Sequence, residues 1–156
     1  MPIAVVGQDG KLKTSDTLVI QQNEAEQSTA GSTYLRYVSR YDSPIAPSGS
    51  VAVGVFSLPQ NRMIYGRLSL SIRQQPEASA TQGGRVMVFY FYCDSLSGSL
   101  ANLTLSSSEY SQGTNSQPAP TVTLTSSGND MYVNVQNNAS TKNIEAVGVL
   151  VEITVG

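Results

Sequence analysis

Apolar and polar residues alternate with a period of two through most of the patterned segments of this chain. Over residues 64–73, Ile64, Gly66, Leu68, Leu70 and Ile72 share one face, and Tyr65, Arg67, Ser69, Ser71 and Arg73 share the other. Successive side chains of a strand point to opposite faces, so the spacing predicts a half-buried strand. Residues 147–155 repeat the pattern, with Val147, Val149, Val151, Ile153 and Val155 opposite Gly148, Leu150, Glu152 and Thr154. Residues 51–58 and 131–135 read the same way. Residues 85–93 depart from it, because Phe89, Tyr90, Phe91 and Tyr92 put bulk on both faces. Such a strand is expected to be covered twice: by the opposing sheet, and by a loop or a neighbouring subunit.

The segment 33–41 is ambiguous on spacing alone. Tyr34, Tyr37 and Tyr41 are separated as on a helical face, while strict alternation also fits. Its shortness and aromatic content favour a strand. Turn chemistry fills the gaps. Asp9-Gly10 is a hairpin-turn pair, residues 21–32 read as a polar linker, and residues 74–84 and 106–120 read as polar loops. Residues 136–143 read as a hairpin tip. No stretch of about a dozen residues carries a helical stripe. The expectation is all-β: an antiparallel β-sandwich, jelly-roll-like, of about nine to eleven strands. Residues 1–32 would form an N-terminal hairpin or arm with its linker, and residues 33–156 the sandwich.

Composition narrows the chemistry. The 156 residues suit one domain, and 9 Lys+Arg against 11 Asp+Glu give a net charge of −2. There is no histidine and only one cysteine. A His-dependent nucleophile system and the common zinc sites therefore lack their parts, and an internal disulfide is excluded. Near-zero charge leaves no footprint for nucleic acid or an anionic membrane. The N-terminus (Met1-Pro2-Ile3-Ala4-Val5-Val6-Gly7) has no basic region, and its apolar stretch is too short for a secretory signal. The apolar run 86–93 is too short to cross a bilayer as a helix.

Candidate catalytic groups are few. Glu24 with Glu26, and Glu145 with Glu152, are formal carboxylate pairs, but the first lies in the polar linker and Glu152 on the solvent side of an alternating strand. The aspartates fall mostly in turns, and no loop has the calcium pattern. Asn102-Leu103-Thr104 and Asn138-Ala139-Ser140 match the glycosylation acceptor by chance if no secretory signal exists. Cys93 reads as a small buried hydrophobe. No catalytic, cofactor-binding or metal-binding residue is assigned, and no enzyme activity is expected.

Tyrosine and arginine are the informative residues. Eight tyrosines and six arginines stand against three lysines, the bias of protein interfaces. The candidate interface residues are Ile3, Val5, Tyr34, Arg36, Tyr37, Arg40, Tyr41, Tyr65, Arg67, Tyr90 and Tyr92, with Tyr110 on a receptor-facing loop. Ordinary cross-strand packing is the competing reading for the same side chains.

The C-terminal stretch Gly128-Asn129-Asp130-Met131-Tyr132-Val133-Asn134-Val135, a polar turn, then residues 143–155 ending Val149-Leu150-Val151-Glu152-Ile153-Thr154-Val155 resembles the closing hairpin of small β-sandwich virion proteins of tailed phages. It lacks the Trp common in the final strand of that pattern. The resemblance implies a non-enzymatic virion component without cofactor, a homo-oligomer with a trimer favoured. The chain has no heptad shaft of the kind a tail fibre uses. The resemblance therefore points first to a capsid decoration protein, assembled in the host cytoplasm and bound to the major capsid protein through residues 2–22. The alternative is a tail- or head-fibre receptor-binding tip that contacts a host surface glycan or protein.

Overall fold

The computed structural model describes residues 18–27, 33–75, 83–114 and 117–156, with side chains from Tyr34 onward. Ten strands and no helix occur among the described residues: β1 Leu18–Gln27, β2 Thr33–Tyr41, β3 Ser50–Ser57, β4 Arg62–Gln74, β5 Gly83–Leu96, β6 Ser99–Leu105, β7 Tyr110–Gly113, β8 Thr121–Ser127, β9 Asp130–Gln136 and β10 Ile144–Val155. They form two antiparallel sheets of unequal size. The larger has the order β1-β2-β10-β4-β5-β6, with β7 beside the other half of β5. The smaller has the order β3-β9-β8. The antiparallel β-sandwich expected from the alternation is the observed architecture.

The period-two pattern decides which side faces the core. Ile64, Leu68, Leu70 and Ile72 of β4, and Val147, Val149, Val151, Ile153 and Val155 of β10, are all buried. Val133 and Val135 of β9 and Val53 and Phe56 of β3 meet them from the small sheet. Close packing is tightest at Gly66, which lies opposite Phe91 in the register. A Cβ there would stand 2.3 Å from the Phe91 ring, so the missing side chain is the space the phenyl ring occupies. On the core side of β2, the buried Ser39 is satisfied by donating to the Val53 carbonyl at 2.9 Å. Val53 is the extra residue of a bulge in β3, which frees its backbone from the ladder.

Four features differ from the sequence expectation. Residues 18–27 form an edge strand on β2 where part of a polar linker was expected. The loop 106–120 contains β7, which pairs with Arg85–Val88 where β6 no longer covers β5. Residues 136–143 are not a hairpin tip: β9 and β10 belong to different sheets, and the connection crosses between them. Asn137 holds that crossing by donating to the carbonyls of Ile45 at 2.9 Å and Lys142 at 2.8 Å while its side-chain oxygen accepts from Ala139 N–H. Finally, among the described residues β5 is covered on one face only. Met87, Phe89, Phe91 and Cys93 are buried, whereas Val86, Tyr90 and Tyr92 are exposed with no loop over them among the described residues. The Asp9-Gly10 turn, Ile3 and Val5 lie outside the described residues.

Candidate functional site: the outer face of the large sheet

Alternation sends one side chain in two of each strand to the outer face, and the register decides which of them become neighbours. One row across the sheet reads Tyr90 (β5), Arg67 (β4), Glu152 (β10), Arg36 (β2). The next, two residues along, reads Thr104 (β6), Tyr92, Tyr65, Thr154, Tyr34. A third reads Tyr110 (β7), Val88, Ser69, Leu150, Val38, and a fourth places Arg40 beside Gly148 and Ser71. On β1, Gln22 registers with Arg36 and Glu26 with Tyr34.

Seven of the sequence-nominated interface residues thus converge on one face: Tyr34, Arg36, Arg40, Tyr65, Arg67, Tyr90 and Tyr92. Tyr110 joins the same face from β7, a paired strand and not an open loop, and is 53% exposed. Two nominees do not belong there. Tyr37 and Tyr41 have the opposite parity on β2 and point inward. Tyr37 is 1% exposed and sets its ring edge-on to Phe56 at 5.9 Å, so it is core and no surface contact; Tyr41 packs against the same core, partly buried.

The aromatic part is a shelf. Tyr65 is 55% and Tyr92 49% exposed, and Tyr65 stacks on Tyr90 with ring centroids 6.1 Å apart and planes 17° from parallel. Beside it is a groove of about 220 Å³ lined by Tyr34, Tyr65, Arg67, Glu152 and Thr154, floored by Gly66 and Ile153. The Tyr34 hydroxyl donates to the Glu152 carboxylate. Arg67 is exposed, and the Arg36 Nε is buried without a hydrogen-bond partner. At the other end of the face, Arg40 pairs with Asp42 at 2.8 Å and Arg73 with Glu145 at 3.0 Å. Such an arrangement presents flat π-surface next to both a carboxylate acceptor and guanidinium donors, which is what a polyhydroxylated ring needs from a protein surface.

Other candidates from the sequence have structural roles. Glu145 and Glu152 lie seven residues apart on β10, about 23 Å at ~3.3 Å per residue, against the ~5–9.5 Å of a glycosidase pair. Among the described residues no three His, Cys, Asp or Glu side chains cluster as metal ligands. Asp94 accepts from Asn102 at 2.8 Å and Asp130 from Ser57 at 2.6 Å. Asn138 is tied to the Ala119 carbonyl at 2.8 Å and to Thr121 Oγ1 at 2.9 Å. Burial, with the Asp94 carboxylate adding to it, pushes the Cys93 thiol up to about 11, so it is an unreactive core residue. No described helix is long and apolar enough to cross a membrane.

Sequence reasoning missed the centre of the groove. Glu152 was assigned to the solvent side of its strand, but only the sheet order, with β10 between β2 and β4, places it between Arg36 and Arg67.

No protein family's sequence profile and no curated protein matches the chain. Two solved structures share a partial likeness. The tailspike protein of Acinetobacter baumannii phage AM24 aligns at TM-score 0.46 and 9% identity over 78% of this chain and 26% of its own. The tailspike protein of Acinetobacter phage vB_ApiP_P1 aligns at TM-score 0.46 and 15% identity over 91% of this chain and 24% of its own. This chain therefore spans about a quarter of the length of either.

Proposed function

We propose that this chain is a non-enzymatic receptor-binding module of a tailed-phage virion, which holds a cell-surface glycan on the outer face of its large sheet. What carries the reading is the Tyr65–Tyr90 shelf, exposed and continuous with the groove between Tyr34, Arg67 and Glu152. A monomeric domain that leaves three tyrosines open beside a polar groove forgoes burial energy of roughly 1.5–3 kcal/mol per large side chain unless something else covers them. The virion assignment comes from the closing-strand resemblance. Both partial neighbours are phage tailspike proteins, but the face itself is what supports binding. Between the two virion roles, the face favours the receptor-binding tip over capsid decoration: an open groove of about 220 Å³ with an aromatic wall is the size of a saccharide ring, not of a capsid shell's broad surface.

The test is a glycan array of bacterial surface saccharides probed with labelled protein and with the Tyr65→Ala/Tyr90→Ala variant. Capture by at least one glycan that the variant loses supports the reading. Absence of any glycan signal, together with stoichiometric binding to purified capsids, would return the protein to the decoration role.

A further inference from the structure

In the row beside the groove, two guanidiniums, Arg36 and Arg67, stand against one carboxylate, Glu152, and the imbalance indicates the charge of the ligand. A guanidinium carries five N–H donors and no acceptor. Arg40 and Arg73 each have a carboxylate of their own, Asp42 and Glu145. Arg36 and Arg67 form no ion pair with any described residue, and the Arg36 Nε is buried with no acceptor at all. Glu152 is the one carboxylate between them, and it already accepts the Tyr34 hydroxyl. The unpaired arginine end of the face is also the end that carries the aromatic shelf, since Arg67 registers directly with Tyr90.

We infer that the glycan recognised here is acidic: a sugar ring lies on Tyr65 and Tyr90, and its carboxylate is taken by the exposed Arg67. This rests on the glycan-binding reading above and adds the ligand's charge and the residues that select it. Directly opposed side chains on neighbouring strands stand about 5 Å apart at Cβ, so a ring stacked on Tyr90 brings an exocyclic carboxylate within reach of Arg67. The planar guanidinium fork matches a planar carboxylate in a bidentate pair, and a neutral hydroxymethyl in its place leaves Arg67 unanswered. Glu152, held by Tyr34, then accepts from a ring hydroxyl and rejects a second carboxylate at that position.

The experiment is calorimetric titration with oligomers of galacturonate, mannuronate and sialate, each against its carboxyl-reduced form. At least one acidic form is expected to bind about tenfold or more tighter than its reduced counterpart, and more weakly as salt rises. Arg67→Gln should bring the pair to within about twofold, while Arg73→Gln, on the same face but paired with Glu145, should leave the preference intact. Equal binding of acidic and reduced forms would overturn the inference and leave the glycan reading standing. So would failure of every acidic oligomer alongside capture by a neutral array glycan. If Tyr65→Ala/Tyr90→Ala instead dissolves a homo-oligomer, the face belongs to a second copy, and the inference and the glycan reading fall together.

Discussion

The two outer faces of this sandwich are built by the same alternation and carry different chemistry. On the small sheet, the outward side chains are Thr121, Thr123 and Thr125 of β8, Tyr132 and Asn134 of β9 and Ala52, Val55 and Ser57 of β3, and Asn134 donates to Thr125 Oγ1 at 3.0 Å. Apart from Tyr132 they are short, some of their polar groups satisfy one another, and β-branched threonine suits an exposed strand on propensity alone. On the large sheet, the outward side chains include Tyr65, Tyr90, Tyr92 and Arg67, which are long and exposed, and Arg36 and Glu152, which are partly buried. Neither face is needed to fill the core, which is closed by the inward residues of both sheets. Folding therefore accounts for the first face and gives no reason for the exposed aromatics of the second, which is the contrast the binding proposal rests on.

The sharpest way to break this comparison lies within a single strand. Tyr37 and Tyr34 are both tyrosines of β2, three residues apart and on opposite faces. Tyr37→Ala is expected to cost about 3–5 kcal/mol of stability, the range for removing a buried ring, measured by urea unfolding. Tyr34→Phe should cost under about 1 kcal/mol and instead weaken ligand binding, because Glu152 loses its donor. On the binding side, Tyr65→Ala and Tyr90→Ala should each lower affinity by about 2 kcal/mol, the scale of an aromatic hot spot, without moving the unfolding midpoint beyond the small shift of a surface substitution. A loss of stability in step with affinity would make the shelf structural.

Asn129 tests how the two sheets are tied. Its amide donates to Ser95 Oγ at 2.9 Å and to the Leu96 carbonyl at 2.8 Å, joining the β8–β9 turn to the β5–β6 hairpin. The turn itself needs Gly128, whose φ of +59° is strained for any other residue. Asn129→Ala should destabilise by about 1–3 kcal/mol and leave glycan binding unchanged in the folded protein, since the turn lies away from the groove. Alkaline pH probes the buried side from another direction. Burial pushes Tyr37 from 10.0 up to about 12, and burial with Asp94 pushes Cys93 from 9.0 up to about 11. As pH rises past 9 the unfolded chain releases these protons first, so the folded state binds more of them and stability falls from pH 9 to about pH 12. Thermal melts across that range should show the decline, and Tyr37→Phe should flatten its upper part. The smallest effect belongs to the other face: Thr123→Ala/Thr125→Ala should stay within about 0.5 kcal/mol per site and bind as wild type.

The sequence made the inward half of the molecule legible and the site only in pieces. β4 and β10 could be read to the correct face because each has five alternating apolar positions and one side in water. β1 and β7 could not. Neither alternates: after Leu18, Val19 and Ile20 only Ala25 of β1 is apolar, and β7 is Tyr110-Ser111-Gln112-Gly113; they are strands because β2 and the bare half of β5 offer edges to pair with, a tertiary cause. The connection 136–143 fits a hairpin and a crossover equally well by length, and only the buried Asn137 with its three bonds decides for the crossover. The excess of Tyr and Arg pointed to a surface, and parity alone separates Tyr34 and Arg36 from Tyr37 and Tyr41. What parity cannot give is sheet order. Arg36, Arg67, Tyr90 and Glu152 are neighbours because β10, last in the chain, is inserted between β2 and β4.

The central claim is that ligand sits on the outer face of the large sheet and nowhere else. Backbone amide shift mapping by NMR during titration with a glycan captured on the array tests it most directly. The account predicts shifts concentrated at residues 34–36, 65–67, 90–92 and 152–154, four segments far apart in the chain and adjacent only in this sheet. Shifts confined to the threonine face of β8 and β9, or to the connection 136–143, would contradict it.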